Sequence, residues 1–198
     1  MRKSKWIKIL TSVGIVFLIV FVVIPPFTRR WSRNHLMKYA PPVPVNSWKK
    51  FTSAEGEFSA WFPGTPEETT QPLHNLMGDI EARCFAVEAD IQDFYGVLYA
   101  DIPPAADLKN PTYLFDRAQA MEANQNGSGK IVFQQEIKLE NYSGREFEFA
   151  AGGKANYSGR VRILLVGRRL YVLTVVFLTR NPHPEDRANF FNSFKLQN

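Results

Sequence analysis

The chain has 198 residues, 45% of them apolar, with 24 lysines and arginines, 19 acids and one cysteine. A lone cysteine excludes an intramolecular disulfide framework. The formal charge of +5 misleads about partners, because residues 1–50 carry ten basic side chains and no acid while 51–198 carry 14 basic and 19 acidic ones, net −5; without a concentrated basic face, nucleic acid binding is not expected.

The first element is the uncharged run 9–27 (ILTSVGIVFLIVFVVIPPF), preceded by Arg2, Lys3, Lys5 and Lys8 and followed by Arg29, Arg30, Arg33 and Lys38. A helix of about 20 apolar residues crosses a bilayer core, so the run just reaches the length of a transmembrane helix. A cleaved secretory signal is the competing reading. The run is longer than a signal needs, and its exit, Ile24-Pro25-Pro26-Phe27, lacks small residues for a peptidase. A retained signal anchor is therefore favoured. The basic residues on the two flanks balance, so the positive-inside rule does not decide orientation. A short tail stays inside easily, which puts the following domain on the extracytoplasmic side of a single-pass membrane protein. Trp6, Phe27 and Trp31 stand at the two ends of the run, where amphipathic rings suit the headgroup level.

Residues 28–47 read as a basic juxtamembrane stalk with a stiff Ala40-Pro41-Pro42-Val43-Pro44 stretch. About 150 residues remain, the ordinary size of one domain, and 48–198 is taken as that domain. Phe58, Ala60 and Phe62 alternate with Ser59 and Trp61 before the turn Pro63-Gly64-Thr65-Pro66. Strands are expected at about 72–77, 80–89 and 94–102. Asn110-Pro111 caps a helix carrying Leu114, Phe115, Ala118 and Met121 at helical spacing. Further strands are expected at about 130–139, 145–151, 157–166 and 169–179, and Pro184-Glu185-Asp186 opens a last helix with Phe190, Phe191 and Phe194 toward the core. Both faces of 169–179 are apolar, which marks a central strand. The expected class is α+β: a largely antiparallel sheet of about six to eight strands with helices packed on both faces, preceded by one transmembrane helix.

Chemistry-bearing constellations are few. His35, His74 and His183 have no ligand or base at motif spacing. Cys84 lies in the expected strand Ala82–Val87 and reads as a buried thiol. Gly127-Ser-Gly-Lys130 runs from helix into strand, the wrong order for a phosphate loop. Asp79, Asp90, Asp93, Asp101 and Asp107 are near in sequence, but their spacing fits no calcium loop, and no metal or cofactor is expected. Asn126, Asn141 and Asn156 match the glycan acceptor pattern and are read as turn chemistry. The echo Asn141-Tyr-Ser-Gly-Arg145 and Asn156-Tyr-Ser-Gly-Arg160 reads as two similar strand entries whose glycines supply backbone freedom.

Two groups remain as candidate sites. Arg160, Arg162, Arg168 and Arg169 form a candidate partner-docking surface; equally, Arg160 and Arg162 can pair across the sheet with Glu146 and Glu148. Trp61, Phe94, Tyr95 and Tyr99 are candidate pocket aromatics, with ordinary core as the alternative.

The segment Phe51-Thr-Ser-Ala-Glu-Gly-Glu-Phe-Ser-Ala-Trp-Phe-Pro-Gly-Thr-Pro66, the Gly144-Arg-Glu-Phe-Glu148 strand, Tyr171 in its arginine-flanked strand and the closing Phe190-Phe-Asn-Ser-Phe-Lys195 resemble the PsbP-like superfamily. The resemblance spans nearly all of 48–198. It implies an antiparallel sheet with helices on both faces and a domain that binds protein rather than catalysing; it carries over no catalytic residues. The expected function is a membrane-tethered, non-enzymatic interaction or accessory domain assisting an envelope or membrane complex. Its partners would be the bilayer, through residues 9–27, and another membrane or envelope protein. The alternatives are a small-ligand or lipid-binding domain with a pocket between sheet and helix, and an unrecognised hydrolase.

Overall fold

A computed structural model describes residues 47–75, 78–89, 93–125, 130–151, 157–178 and 184–197. The apolar run 9–27, residues 28–46 of the stalk, Asp90, His35, His183, Asn126 and Asn156 lie outside them. Among the described residues no helix is long and apolar enough to cross a membrane.

Ten strands and two helices follow in the order β1 (Lys49–Ser53), β2 (Phe58–Phe62), β3 (Glu67–Asn75), β4 (Gly78–Glu88), β5 (Asp93–Asp101), α1 (Pro111–Gln125), β6 (Lys130–Leu139), β7 (Tyr142–Ala151), β8 (Tyr157–Val166), β9 (Arg169–Leu178), α2 (Pro184–Ser193) and β10 (Lys195–Leu196). They make a seven-stranded sheet, β3-β4-β5-β9-β8-β7-β6, and a three-stranded sheet, β1-β2-β10. The large sheet is two meanders, β3-β4-β5 and β6 through β9, joined where β5 pairs with β9 in antiparallel register. That places β9 in the middle, as its two apolar faces demand. Gly167, at φ 60°, makes the β8–β9 turn. Asn110 opens α1, its Oδ1 accepting the Thr112 amide at 3.2 Å, with Pro111 at the first helical position.

Alternation along β5 and β9 separates two cores. Tyr95, Val97, Tyr99, Tyr171, Leu173 and Val175 face the small sheet and α2, meeting Trp48, Phe58, Phe62, Phe190 and Phe194. Phe94 and Val176 point the other way, toward Phe115 of α1 and Phe147, Phe149, Val161 and Ile163. Ala82, Cys84, Leu98 and Ala100 form a smaller cluster on that second side.

The expectation of an α+β domain with helices packed on both faces is corrected; the transmembrane helix expected before it falls outside the described residues. The described chain is mostly β, with two sheets and two short helices. An apolar strand face reports that it is covered, not what covers it. Here a second sheet does much of that work on one side. Its outer strands, Lys49-Lys-Phe-Thr-Ser53 and Lys195-Leu196, are too short and too polar to display a period. On the other side α1 buries chiefly Phe115 and leaves Tyr113 exposed.

The two repeat glycines sit within strands, and space rather than φ explains them. Gly159 pairs with Phe149, whose ring occupies the volume a Cβ would need; Gly144 is crowded in the same way by Ile163 and Leu164. Gly159→Ala is therefore expected to destabilise the domain by about 2 kcal/mol through overpacking. Urea unfolding checks this, and an unchanged midpoint would contradict the ring placement.

Candidate functional site

The β5–β9 register sets Asp101 opposite Arg169, and the guanidinium grips both carboxylate oxygens at 2.7 and 2.8 Å. Two planar forks in parallel make this the strongest kind of ion pair. The Arg169 bond, with its charge, holds Asp101 below the usual carboxylate range despite some desolvation. Arg169 also donates to the Glu55 carbonyl at 2.8 Å and to Glu57 at 3.0 Å, and it lies 5.0 Å over the Tyr99 ring. Tyr171 adds a bond from its hydroxyl to the Gly56 carbonyl at 2.8 Å. One strand end therefore fastens the β1–β2 turn, where Glu57 sits at φ 50°. Arg83 closes the cluster against Glu55 at 2.7 Å, Glu68 at 3.3 Å and Glu81 at 3.5 Å. The buried Tyr99 hydroxyl beside it finds no hydrogen-bond partner among the described residues, and burial pushes its pKa up.

A second cluster centres on Glu146, only 1% exposed. Arg162 donates to its Oε2 twice, at 2.9 and 2.7 Å, and Arg160 and Gln135 donate to Oε1 at 2.6 and 3.1 Å. Burial alone would raise this carboxyl, but the two arginines outweigh it and hold it low. Arg162 also donates to the Phe191 carbonyl at 3.0 Å, one of the acceptors left open in the last turns of α2. Both guanidinium groups lie over the Phe191 ring, at 5.6 and 5.2 Å. Arg145, on the opposite face, is held by Asp116, Glu136 and Gln119.

The four arginines singled out from the sequence thus fall into two places. Arg160 and Arg162 lie together over α2. Arg168 and Arg169 stand at the β8–β9 turn, where Arg168 donates to the carbonyls of Ile102, Pro103 and Ala106 and pins that loop. Each spends donors inside the chain.

The four aromatics do not line one space. Phe94 and Tyr95 are neighbours on opposite faces of β5. Tyr95 meets Trp48 and Phe190 edge-on at 5.4 and 5.5 Å, and Tyr99 stacks on Phe85 at 6.3 Å. Trp61 stands on the outer side of the small sheet, 45% exposed. Cys84 is buried, and that burial pushes its thiol up to about 12, so it is no nucleophile at neutral pH. Among the described residues no three His, Cys, Asp or Glu side chains converge as a metal site.

Two surface residues escaped the sequence reading. Val132 and Phe133 are 57% and 41% exposed on β6. A register shift between Ile131 and Phe133 breaks the alternation there. The only sign in the sequence is the run Ile131-Val132-Phe133 before Gln134-Gln135, which fits no two-residue period.

No protein-family model matches the chain, and no curated protein does. Among solved structures it is similar to cyanobacterial PsbP (CyanoP) from Synechocystis sp. PCC 6803, at 10% identity and a TM-score of 0.54 over 81% of this chain and 98% of that one. A Bacteroides thetaiotaomicron VPI-5482 protein aligns at 10% identity and a TM-score of 0.45, over 76% of this chain and 48% of that one. A protein of unknown function from Pseudomonas aeruginosa aligns at 9% identity and 0.37, over 71% and 90%. At this identity the first likeness speaks to architecture alone: the chain has a PsbP-like fold.

Proposed function

We propose that this chain is a non-enzymatic accessory domain, tethered to the bilayer through residues 9–27, which docks an extended segment of another membrane or envelope protein along β6. The observation that carries the reading is the exposed pair Val132 and Phe133 on an outermost strand of the large sheet. On its outer side β6 pairs with no described strand, so its backbone groups are available for strand addition. The exposed pair supplies apolar anchors beside that ladder. The charged clusters argue in the same direction, since their ionic groups are spent on one another rather than poised around a reacting centre.

The test is mild in-cell cross-linking of the tagged full-length chain, membrane extraction and identification of stoichiometric partners, for wild type and Val132→Asp/Phe133→Ser. The double variant should lose the partner at least tenfold with its thermal unfolding unchanged, because neither side chain is in the core. A partner retained by a folded double variant, or a wild type extracted alone, would overturn the reading.

A further inference from the structure

We infer that the outer face of the β1-β2-β10 sheet is a contact surface for an anionic lipid bilayer, with Trp61 as its interfacial anchor. The inference rests on the tethering reading above and adds which side of the domain faces the lipid.

Pairing register builds this face. Lys50 of β1 is directly opposite Trp61, and Thr52 of β1 and Lys195 of β10 flank Ser59 on either side. Paired residues share a face, so Lys50 stands directly beside Trp61, and Lys195 lies on the same face one pair further along, beside Ser59. Lys50 and Lys195 are exposed. Lys49 pairs with Phe62 and so belongs to the other side of the sheet, where it reaches the Thr65 hydroxyl at 3.5 Å. The backbone below is held: the Trp61 amide donates to Ser193 Oγ at 2.9 Å, and Gln197 donates to Ser59 Oγ at 3.0 Å. The indole is thus displayed on a fixed strand rather than on a loop.

Charge decides the occupant. On this face β1, β2 and β10 carry Lys50 and Lys195 and no acid, in a chain whose residues 51–198 carry net −5. The nearest acids in sequence, Glu55 and Glu57, are held by Arg83 and Arg169 at 2.7 and 3.0 Å. An acidic domain is repelled by an anionic leaflet everywhere except where its sign reverses, and this sheet is such a place. Lysine stems extend along apolar material while their ammonium groups stay with the headgroups, and tryptophan settles at the same level. The face is also the start of the domain: β1 begins at Lys49, directly after the basic Pro-rich stretch.

The test reconstitutes the full-length chain in nanodiscs of phosphatidylcholine, with or without phosphatidylglycerol, and measures tryptophan quenching by doxyl-labelled lipid. Trp6, Trp31 and Trp48 form a background, so the readout is the difference between wild type and Trp61→Phe. In anionic discs, wild type should show quenching that Trp61→Phe lacks. That excess should vanish without phosphatidylglycerol, in high salt, and in Lys50→Glu/Lys195→Glu. Equal quenching of wild type and Trp61→Phe in anionic discs overturns the inference while leaving the tether intact. If the chain does not stay with discs after detergent removal, the tether fails and the inference falls with it. If the lysine reversal leaves the excess untouched but releases a co-purifying protein, the face belongs to an acidic protein instead.

Discussion

Glu146→Ala is expected to lower the unfolding free energy by about 3 kcal/mol, among the largest losses available from one polar side chain in this domain. Removing one member of a buried pair leaves the others uncompensated, at a cost of roughly 3–5 kcal/mol. Glu146 is 1% exposed, and its loss strands Arg160 and Arg162 together over Phe191. The side chains of those arginines keep 31% and 18% exposure, and the water they retain places the expectation at the low end of the range. Glu146→Gln keeps two polar atoms in place and should lose about half as much. Urea unfolding reads both as midpoint shifts at constant slope. The pH dependence separates this electrostatic account from simple cavity formation. Glu146 titrates below its ordinary value in the folded chain. Its contribution is therefore present above the unfolded carboxyl's pKa and is lost as pH falls through the folded one. The gap between wild type and Glu146→Ala should accordingly narrow in acid. A gap constant with pH, or a loss below about 1 kcal/mol, would contradict the role assigned to this carboxylate.

Local pattern made most of the large sheet legible. The two-sided apolar run Leu170–Leu178 signals a central strand, and β9 is the fourth of seven. Asn110-Pro111 and Pro184-Glu185 mark the two helix starts at the positions the structure gives them. What the pattern does not contain is the partner of each face. The second sheet depends on β10, two residues long, pairing with β2 from the far end of the chain. No window-based period reaches that. The charged clusters divide along the same line. Arg160 and Arg162 share strand parity with each other, as Glu146 and Glu148 do on the preceding strand, so their pairing is readable within one hairpin. The Arg169–Asp101 fork joins residues 68 apart and exists only because β5 and β9 become neighbours. Val132 and Phe133 were hidden for another reason, since a bulge turns the alternation over within a strand that is otherwise easy to recognise.

The second large effect tests the correction to the fold. Phe58→Ala should cost about 4 kcal/mol, within the 3–5 typical of truncating a buried phenylalanine, and should leave a domain close to unfolding if its total stability lies in the usual range. Phe58 is fully buried and sits where the two sheets meet. Its ring touches Phe194 at 5.6 Å and Phe51 at 6.1 Å on the small-sheet side, and Phe85 at 5.7 Å and Tyr171 at 6.3 Å on the large sheet. Truncation opens a cavity bounded mostly by rigid rings, which collapse poorly into the space. Phe58→Leu refills much of that volume and should lose less than half as much. Trp61 supplies the internal comparison, because it is on the same five-residue strand but faces outward. Trp61→Phe should change stability by less than about 0.5 kcal/mol, as surface substitutions do. If helices rather than β2 covered this face, these two residues of one short strand would have no reason to differ so sharply. Similar losses at Phe58 and Trp61 in thermal or urea unfolding would therefore overturn the register of β2, and with it the packing of the small sheet on the large one.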